Sequence, residues 1–239
     1  MVRKALLFSA LFLTMFLQTF AHAFWMETSP AGKKGKAQEV RIYFGEYADK
    51  DITPVADWFS DTRDYTLTLI TPDKKEIKLT STAAKDHFKA SFTPDQEGVY
   101  TVVLQHTVKD LYNGKRLDYH SSAVVKIGAA NTGDRPEHNT NAVSIYTAAK
   151  DTYKANTAVS LQTFFDKLPA GQKEVEVVAP NGWGKKLYTD STGMASFTPI
   201  WPGRYMVEVT STEKKSGDHN GKPYDANWRC ATYCIEVIK

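Results

Sequence analysis

Six histidines stand among 239 residues, and imidazole nitrogen is the common protein ligand for nickel, copper and zinc. His106 and His120 flank an Asn113-Gly114 pair, which predicts a hairpin with one histidine on each arm. A two-residue turn makes His106 face Ser121 and sends the imidazoles to opposite sheet faces. A three-residue loop centred on Asn113 puts them directly opposite, with Cβ atoms about 5 Å apart, where they can share one ion. The plain alternative is two half-exposed sheet histidines. His22 becomes a bidentate ligand if processing leaves it first, because its free amine then joins its imidazole. Glu27, Glu46, Asp49 and Asp51 add oxygen donors close to it in sequence, without calcium-loop spacing. The expected metal ligands are therefore His22, His106, His120 and Glu27. His87 and His138 read as solvated, His219 as a polar turn residue, and Met26, Met194 and Met206 as core at strand spacing.

Cys230 and Cys234 are the two cysteines. On one extended strand their Cα atoms would lie about 13 Å apart, beyond the roughly 7 Å that a disulfide tolerates. An oxidising compartment favours a bond, so a bulge at Ala231-Thr232 is expected. Neither a CxxC nor an HExxH motif occurs, and neither do a Gly-x-Ser-x-Gly elbow, a phosphate-binding glycine loop or a dinucleotide fingerprint. Asp61 and Asp64 have no spacing that sets a glycosidase separation. The expectation is a protein that is not an enzyme. Trp183 and Trp201 are candidates for stacking on sugar rings, which leaves open a second class: a structural or interaction module that binds protein or glycan.

These residues need elements to position them, and an address. Arg3-Lys4, an apolar run over 5–17 and Ala21-His22-Ala23 form a secretory signal over 1–21, with the cut after Ala21 or after Ala23. No cysteine near the cut allows a lipid anchor. The expected destination is the periplasm, with no membrane insertion after cleavage, since no later run reaches the roughly 20 apolar residues of a spanning helix. Lys plus Arg is 30 against 27 for Asp plus Glu, with no basic block, so nucleic acid is not an expected partner.

The mature chain reads as one unit written twice. Ser91-Phe92-Thr93-Pro94, then Gly98 and Tyr100, recurs as Ser196-Phe197-Thr198-Pro199, then Gly203 and Tyr205; Asn113-Gly114-Lys115 recurs as Asn220-Gly221-Lys222. Alternating runs at 40–44, 65–69, 76–79 and 99–107, separated by Pro, Gly, Asn and Asp, predict strands. The stretch 55–59 reads as either a short helix or a loop. The fold class expected is all-β: two tandem antiparallel β-sandwich domains, immunoglobulin-like or transthyretin-like, at 24–128 and 142–239 with a linker at 129–141.

The segment His22-Ala23-Phe24-Trp25-Met26-Glu27 resembles the His-x-Phe-Trp-Leu-Glu start of the DUF4198 family. The segments Thr189-Asp190-Ser191-Thr192-Gly193 with Phe197, and Gly203-Arg204-Tyr205, resemble a pattern shared with transthyretin-like and carboxypeptidase-regulatory-like sandwiches. Relatives of that family are described as periplasmic components of nickel/cobalt transport. The resemblance thus implies capture of a nickel- or cobalt-like ion, the one cofactor expected, for a membrane transporter partner. This chain departs in that Ala21-His22-Ala23 runs directly into Phe24, so a cut after Ala23 would discard the N-terminal ligand.

Overall fold

A computed structural model describes residues 22–239; the expected signal segment lies outside the described residues. The chain is all-β. Its strands are β1 (Ala23–Glu27), β2 (Ala31–Gly32), β3 (Gln38–Glu46), β4 (Asp51–Ile52), β5 (Thr66–Ile70), β6 (Glu76–Lys78), β7 (Ser81–Ala83), β8 (Phe88–Phe92), β9 (Gly98–Thr107) and β10 (Lys115–Ile127) in the first half. The second half has β11 (Val143–Tyr146), β12 (Tyr153–Lys154), β13 (Val159–Phe165), β14 (Leu168–Pro169), β15 (Glu174–Val178), β16 (Gly184–Tyr188), β17 (Met194–Phe197), β18 (Gly203–His219) and β19 (Lys222–Ile238). The undecided stretch 55–59 forms a single 3-10 turn, Val55–Asp57, that buries Trp58 and leaves Phe59 exposed.

Pairings of the first half recur in the second. β1 with β3, β3 with β4, β3 with β8, β5 with β6, β5 with β9, β9 with β10 and β2 with β10 become β11 with β13, β13 with β14, β13 with β17, β15 with β16, β15 with β18, β18 with β19 and β12 with β19. The repeated tetrapeptide has one structural job in both halves. Phe92 and Phe197 are buried, Gly98 and Gly203 take φ of +131° and +125°, and a Cβ on either would strike Pro72 or Pro180 within 3 Å. The Tyr100 hydroxyl accepts from the Gln96 amide, as the Tyr205 hydroxyl does from the Trp201 amide, so each tyrosine closes the turn before its own strand.

The three sheets are a ten-stranded one in the order β16-β15-β18-β19-β10-β9-β5-β6 with β2 and β12 at its margin, a five-stranded one (β1, β3, β4, β7, β8) and a four-stranded one (β11, β13, β14, β17). Alternation places successive side chains on opposite faces. Tyr119, Ala123 and Val125 of β10 join Phe24, Ile42 and Phe44 in one core, whereas Ala231, Tyr233 and Ile235 of β19 join Val143, Val159 and Leu161 in another. The five-stranded sheet thus covers one face of the large sheet and the four-stranded sheet covers the other face, further along.

The two halves meet where β10 pairs with β19, Lys115 opposite Ala226 through Ser122 opposite Tyr233, and this pairing is parallel. Tight hairpins cannot make a parallel pair; here the crossover is the rest of the second half. Each strand would otherwise present an unpaired edge, so the seam covers both. Thr232 donates to the Phe24 carbonyl at 2.6 Å and lies 2.8 Å from the Ser121 hydroxyl, pinning β1 over the seam. Trp25 stacks on Tyr43 at 5.3 Å and packs with Val178 and Met206, joining the five-stranded sheet to the second half.

β19 also corrects the expectation for the cysteines. It runs extended through residues 230–234, paired without a break to β18 and as far as Tyr233 to β10, and both thiols are free. With both flanking ladders satisfied, a bulge at Ala231-Thr232 would break hydrogen bonds on two sides.

Candidate functional site

β1 positions His22. Its register with β3 pairs Ala23 with Gly45 and Phe24 with Phe44, so His22, one residue earlier, falls on the Phe24 face beside the Glu46 position. The imidazole is half-buried, with its centroid 5.7 Å from the Phe44 ring. Glu27 lies on the other face of β1. There it pairs with Arg204 and accepts from the Trp25 indole at 3.3 Å, so it is occupied in joining the halves.

The hairpin settles the relation of His106 to His120. Asn113 and Gly114 take positive φ of 49° and 72°, and Tyr112 bridges Lys115 across the expected two-residue turn. Further along, the Val108 amide donates to the Leu117 carbonyl, so three residues on one arm match one on the other. That shift of two preserves facing, and with Val102 opposite Ala123 it sets His106 opposite Tyr119 instead of Ser121. The two histidines therefore project from opposite faces and cannot hold one ion between them. His106 enters the first core, its ring 6.5 Å from Phe24 and its Nε2 3.1 Å from Asp61 Oδ1. Burial alone would raise the Asp61 carboxyl, but the Lys109 amide and the His106 imidazole outweigh it and hold it below the usual range.

His120 faces the second half. Arg116, Asp118 and His120 on β10 stand beside Asn227, Arg229 and Ala231 on β19, and neither His120 ring nitrogen makes a well-formed hydrogen bond. Burial pulls its pKa down to about 4, against the smaller opposing pull of Asp118. The unfolded imidazole, near 6.5, binds its proton first, so this contribution to stability is whole above about pH 6.5 and is lost as pH falls toward 4. The expected loss is about 3 kcal/mol across that window. His120→Asn should flatten the window in urea titrations between pH 7 and 4; an unchanged slope would refute the assignment.

The four expected ligands are thus not gathered: His22 and His106 share one core face, Glu27 lies behind it and His120 across the large sheet. Among the described residues no three His, Cys, Asp or Glu side chains are grouped so as to hold a metal ion. His138, expected to be solvated, is buried, with Nε2 3.2 Å from the Pro72 carbonyl, because the 129–141 segment packs along β9 and is no free linker. His87 is also only partly exposed, held by Asp86 at 2.7 Å and tilted on Tyr43. His219, expected as a polar turn residue, is the last residue of β18, paired with Lys222 across the Asn220-Gly221 turn, with its Nε2 2.9 Å from the Val108 carbonyl. Of the methionines, Met26 and Met206 are core, whereas Met194 is exposed.

Sequence reading missed one cluster. Glu176 pairs with Glu208 across β15 and β18, and burial first, then Glu46 and Glu176, push Glu208 up to about 8, so it keeps its proton at neutral pH. Residues 46, 176 and 208 share no spacing or motif; only the closed topology brings them near one another, beside the strand end that carries His22.

The DUF4198 family, described as a domain of unknown function, matches residues 19–213. The chain belongs to the DUF4198 family. This DUF4198 protein has no match among curated proteins. It is similar to alpha-2-macroglobulin from Salmonella reacted with methylamine (13% identity, 91% of this chain, 15% of that chain, TM-score 0.29). It is also similar to fibronectin(III)-like modules of CbhA from Clostridium thermocellum (12% identity, 89% of this chain, 94% of that chain, TM-score 0.23). The DUF4198 chain spans about 15% of the length of the macroglobulin chain. Among its described residues no helix is long and apolar enough to cross a membrane.

Proposed function

We propose that this DUF4198 protein is an exported, non-enzymatic periplasmic binding protein of two tandem sandwich modules, 24–128 and 142–239, that captures a nickel- or cobalt-like ion for a membrane transporter. The observation that carries the reading is the burial of β1. Phe24 is 0% exposed and Ala23 3%. A cut after Ala23 would place a new ammonium group on a residue with no access to water, which is costly for an unpaired charge. A cut after Ala21 places it on half-buried His22, where amine and imidazole form a chelate with a carboxylate, Glu46, at the neighbouring strand position. Three donors from two residues leave coordination positions open, which suits an ion that must be passed on. The nearby Glu176 makes the surroundings favourable to a cation, whereas Glu208 keeps its proton and adds no charge.

Two measurements test this. Mass spectrometry of the exported protein should find His22 as the first residue. Calorimetry of that protein near neutral pH should show one ion bound, lost at least tenfold in affinity in His22→Ala and unchanged in His120→Asn. Absence of binding to nickel, cobalt, copper and zinc alike would overturn the proposal.

A further inference from the structure

An open cavity of about 350 Å³ lies at the joint between the halves, lined by Glu27 at the end of β1, Gln38, Glu39 and Arg41 on β3, and Arg204 at the start of β18. That volume falls within the range of small-molecule sites. Its floor is fixed by hydrogen bonds. Gln38 is buried and donates from Nε2 to the Thr28 hydroxyl at 2.8 Å and the Ser29 carbonyl at 3.0 Å, while Thr28 donates to the Glu39 carbonyl at 2.7 Å. Two acids and two bases stand around it, so the lining carries no net charge. Arg204 holds Glu27 and Glu236 through one Nη atom each, and Arg41 holds Glu39 through Nε at 2.8 Å. A guanidinium has five N–H donors, so both arginines keep some for another acceptor.

The internal repeat shows that the scaffold does not require these charges. Gln38 stands opposite Phe92 as Val159 stands opposite Phe197, and the two phenylalanines belong to the repeated tetrapeptide. Counting on from that register, Glu39 and Arg41 correspond to Ser160 and Gln162, and across the sheet Glu27 corresponds to Tyr146. Arg204, which follows Gly203, corresponds to Val99, which follows Gly98. None of the counterparts is charged. Val99 and Tyr146 also line one cavity, but it measures only about 20 Å³ and the chain's own residues 133–135 help to close it. The repeated strands thus build a filled version and an open version of one joint, and only the open version sets charges of both signs around free space.

We propose that this cavity binds a small zwitterion, a free amino acid or a dipeptide, with its carboxylate against Arg41 and Arg204 and its ammonium group against Glu27 and Glu39. Charge-assisted hydrogen bonds at both ends suit such a ligand. An ion of one sign would instead meet two groups of its own sign in the same wall. The site does not rest on ion capture. Glu27 lies five residues from His22, roughly 16 Å along an extended strand, and on the other face of β1.

Calorimetry of the full exported protein, in buffer with a chelator to silence ion binding, tests it with the set of free L-amino acids and with glycylglycine. Acetate and methylamine serve as the single-charge comparisons. At least one zwitterion is expected to bind, with acetate and methylamine weaker by about tenfold or more. Arg41→Gln and Glu39→Gln should each weaken that zwitterion about tenfold, and His22→Ala should leave it unchanged. The Arg41 side chain is exposed and its ion pair with Glu39 lies at the surface, so thermal melting should be unchanged in Arg41→Gln. If Glu39→Gln melts early, Arg41→Gln decides alone. No binding of any zwitterion at millimolar concentration would overturn the proposal. So would acetate or methylamine binding as tightly, which would make the cavity a site for a simple ion, or an affinity that Arg41→Gln leaves unchanged.

Discussion

Phe24→Ala is expected to lower the unfolding free energy by about 4 kcal/mol, the upper range for an emptied aromatic site. Phe24 is wholly buried, and its ring lies within 6.5 Å, centroid to centroid, of Phe44, Trp58, Tyr65, His106 and Tyr119. Four of those contacts are edge-to-face, an arrangement that adds to the burial itself. The neighbours come from both layers, and Tyr119 sits on β10, which is fixed by the parallel seam; none can collapse into the gap without disturbing a ladder. Urea unfolding should show a lower midpoint at unchanged slope. Phe24→Leu, keeping most of the volume, should lose about half as much. A loss below about 1 kcal/mol for the alanine variant would show that the aromatic cluster relaxes freely and that His22 stands on a softer base than described.

The second large effect concerns Arg229. Its side chain is 7% exposed, whereas its partners Asp166 and Glu213 are 68% and 39% exposed. Asp166 accepts at 2.7 Å, Glu213 at short range, and the guanidinium lies over the Phe165 ring at 5.1 Å. Removing one side of such a group is not equivalent to removing the other. Arg229→Met leaves two carboxylates that water can reach and fills the space with an apolar chain of similar length, so the change should stay within about 1 kcal/mol. Asp166→Asn with Glu213→Gln leaves the buried guanidinium without a counter-charge and should lose about 3 kcal/mol. Parallel urea curves on the two variants decide it. Equal losses, or a larger one for Arg229→Met, would mean that the guanidinium is better hydrated than its burial implies.

What the sequence disclosed followed from local chemistry. The Asn-Gly pairs demanded positive φ and gave the tight turns; the alternating runs gave β3, β5, β6 and β9 within a residue or two; the repeated Phe, Gly and Tyr carried the internal recurrence because each makes the same contact twice. What stayed hidden was long-range. The parallel pairing of residue 115 with 226 leaves no local mark in either strand, and without it nothing says that Cys230 and Cys234 lie on an unbroken strand held from both sides. The two-residue turn set the facing of His106 and His120, but the partner of His106 turned on three residues matching one beyond the turn, which propensity does not register. Glu46 could be read as an oxygen donor near His22, but nothing local links it to Glu176 and Glu208 until the registers bring them together. His138 looked like a linker residue because a segment rich in Gly, Asn and Thr gives no hint that it straps along β9.

The seam between β10 and β19 has a consequence for how the molecule comes apart. Each core borrows one wall from the same two strands, so heat cannot melt one half and spare the other: detaching β19 strips a surface from both at once. One calorimetric transition, with no half-molten survivor, follows from that shared wall. Formation is equally indivisible, since the first half keeps a bare flank until a strand more than a hundred residues downstream arrives, and such distant pairings are slow to form.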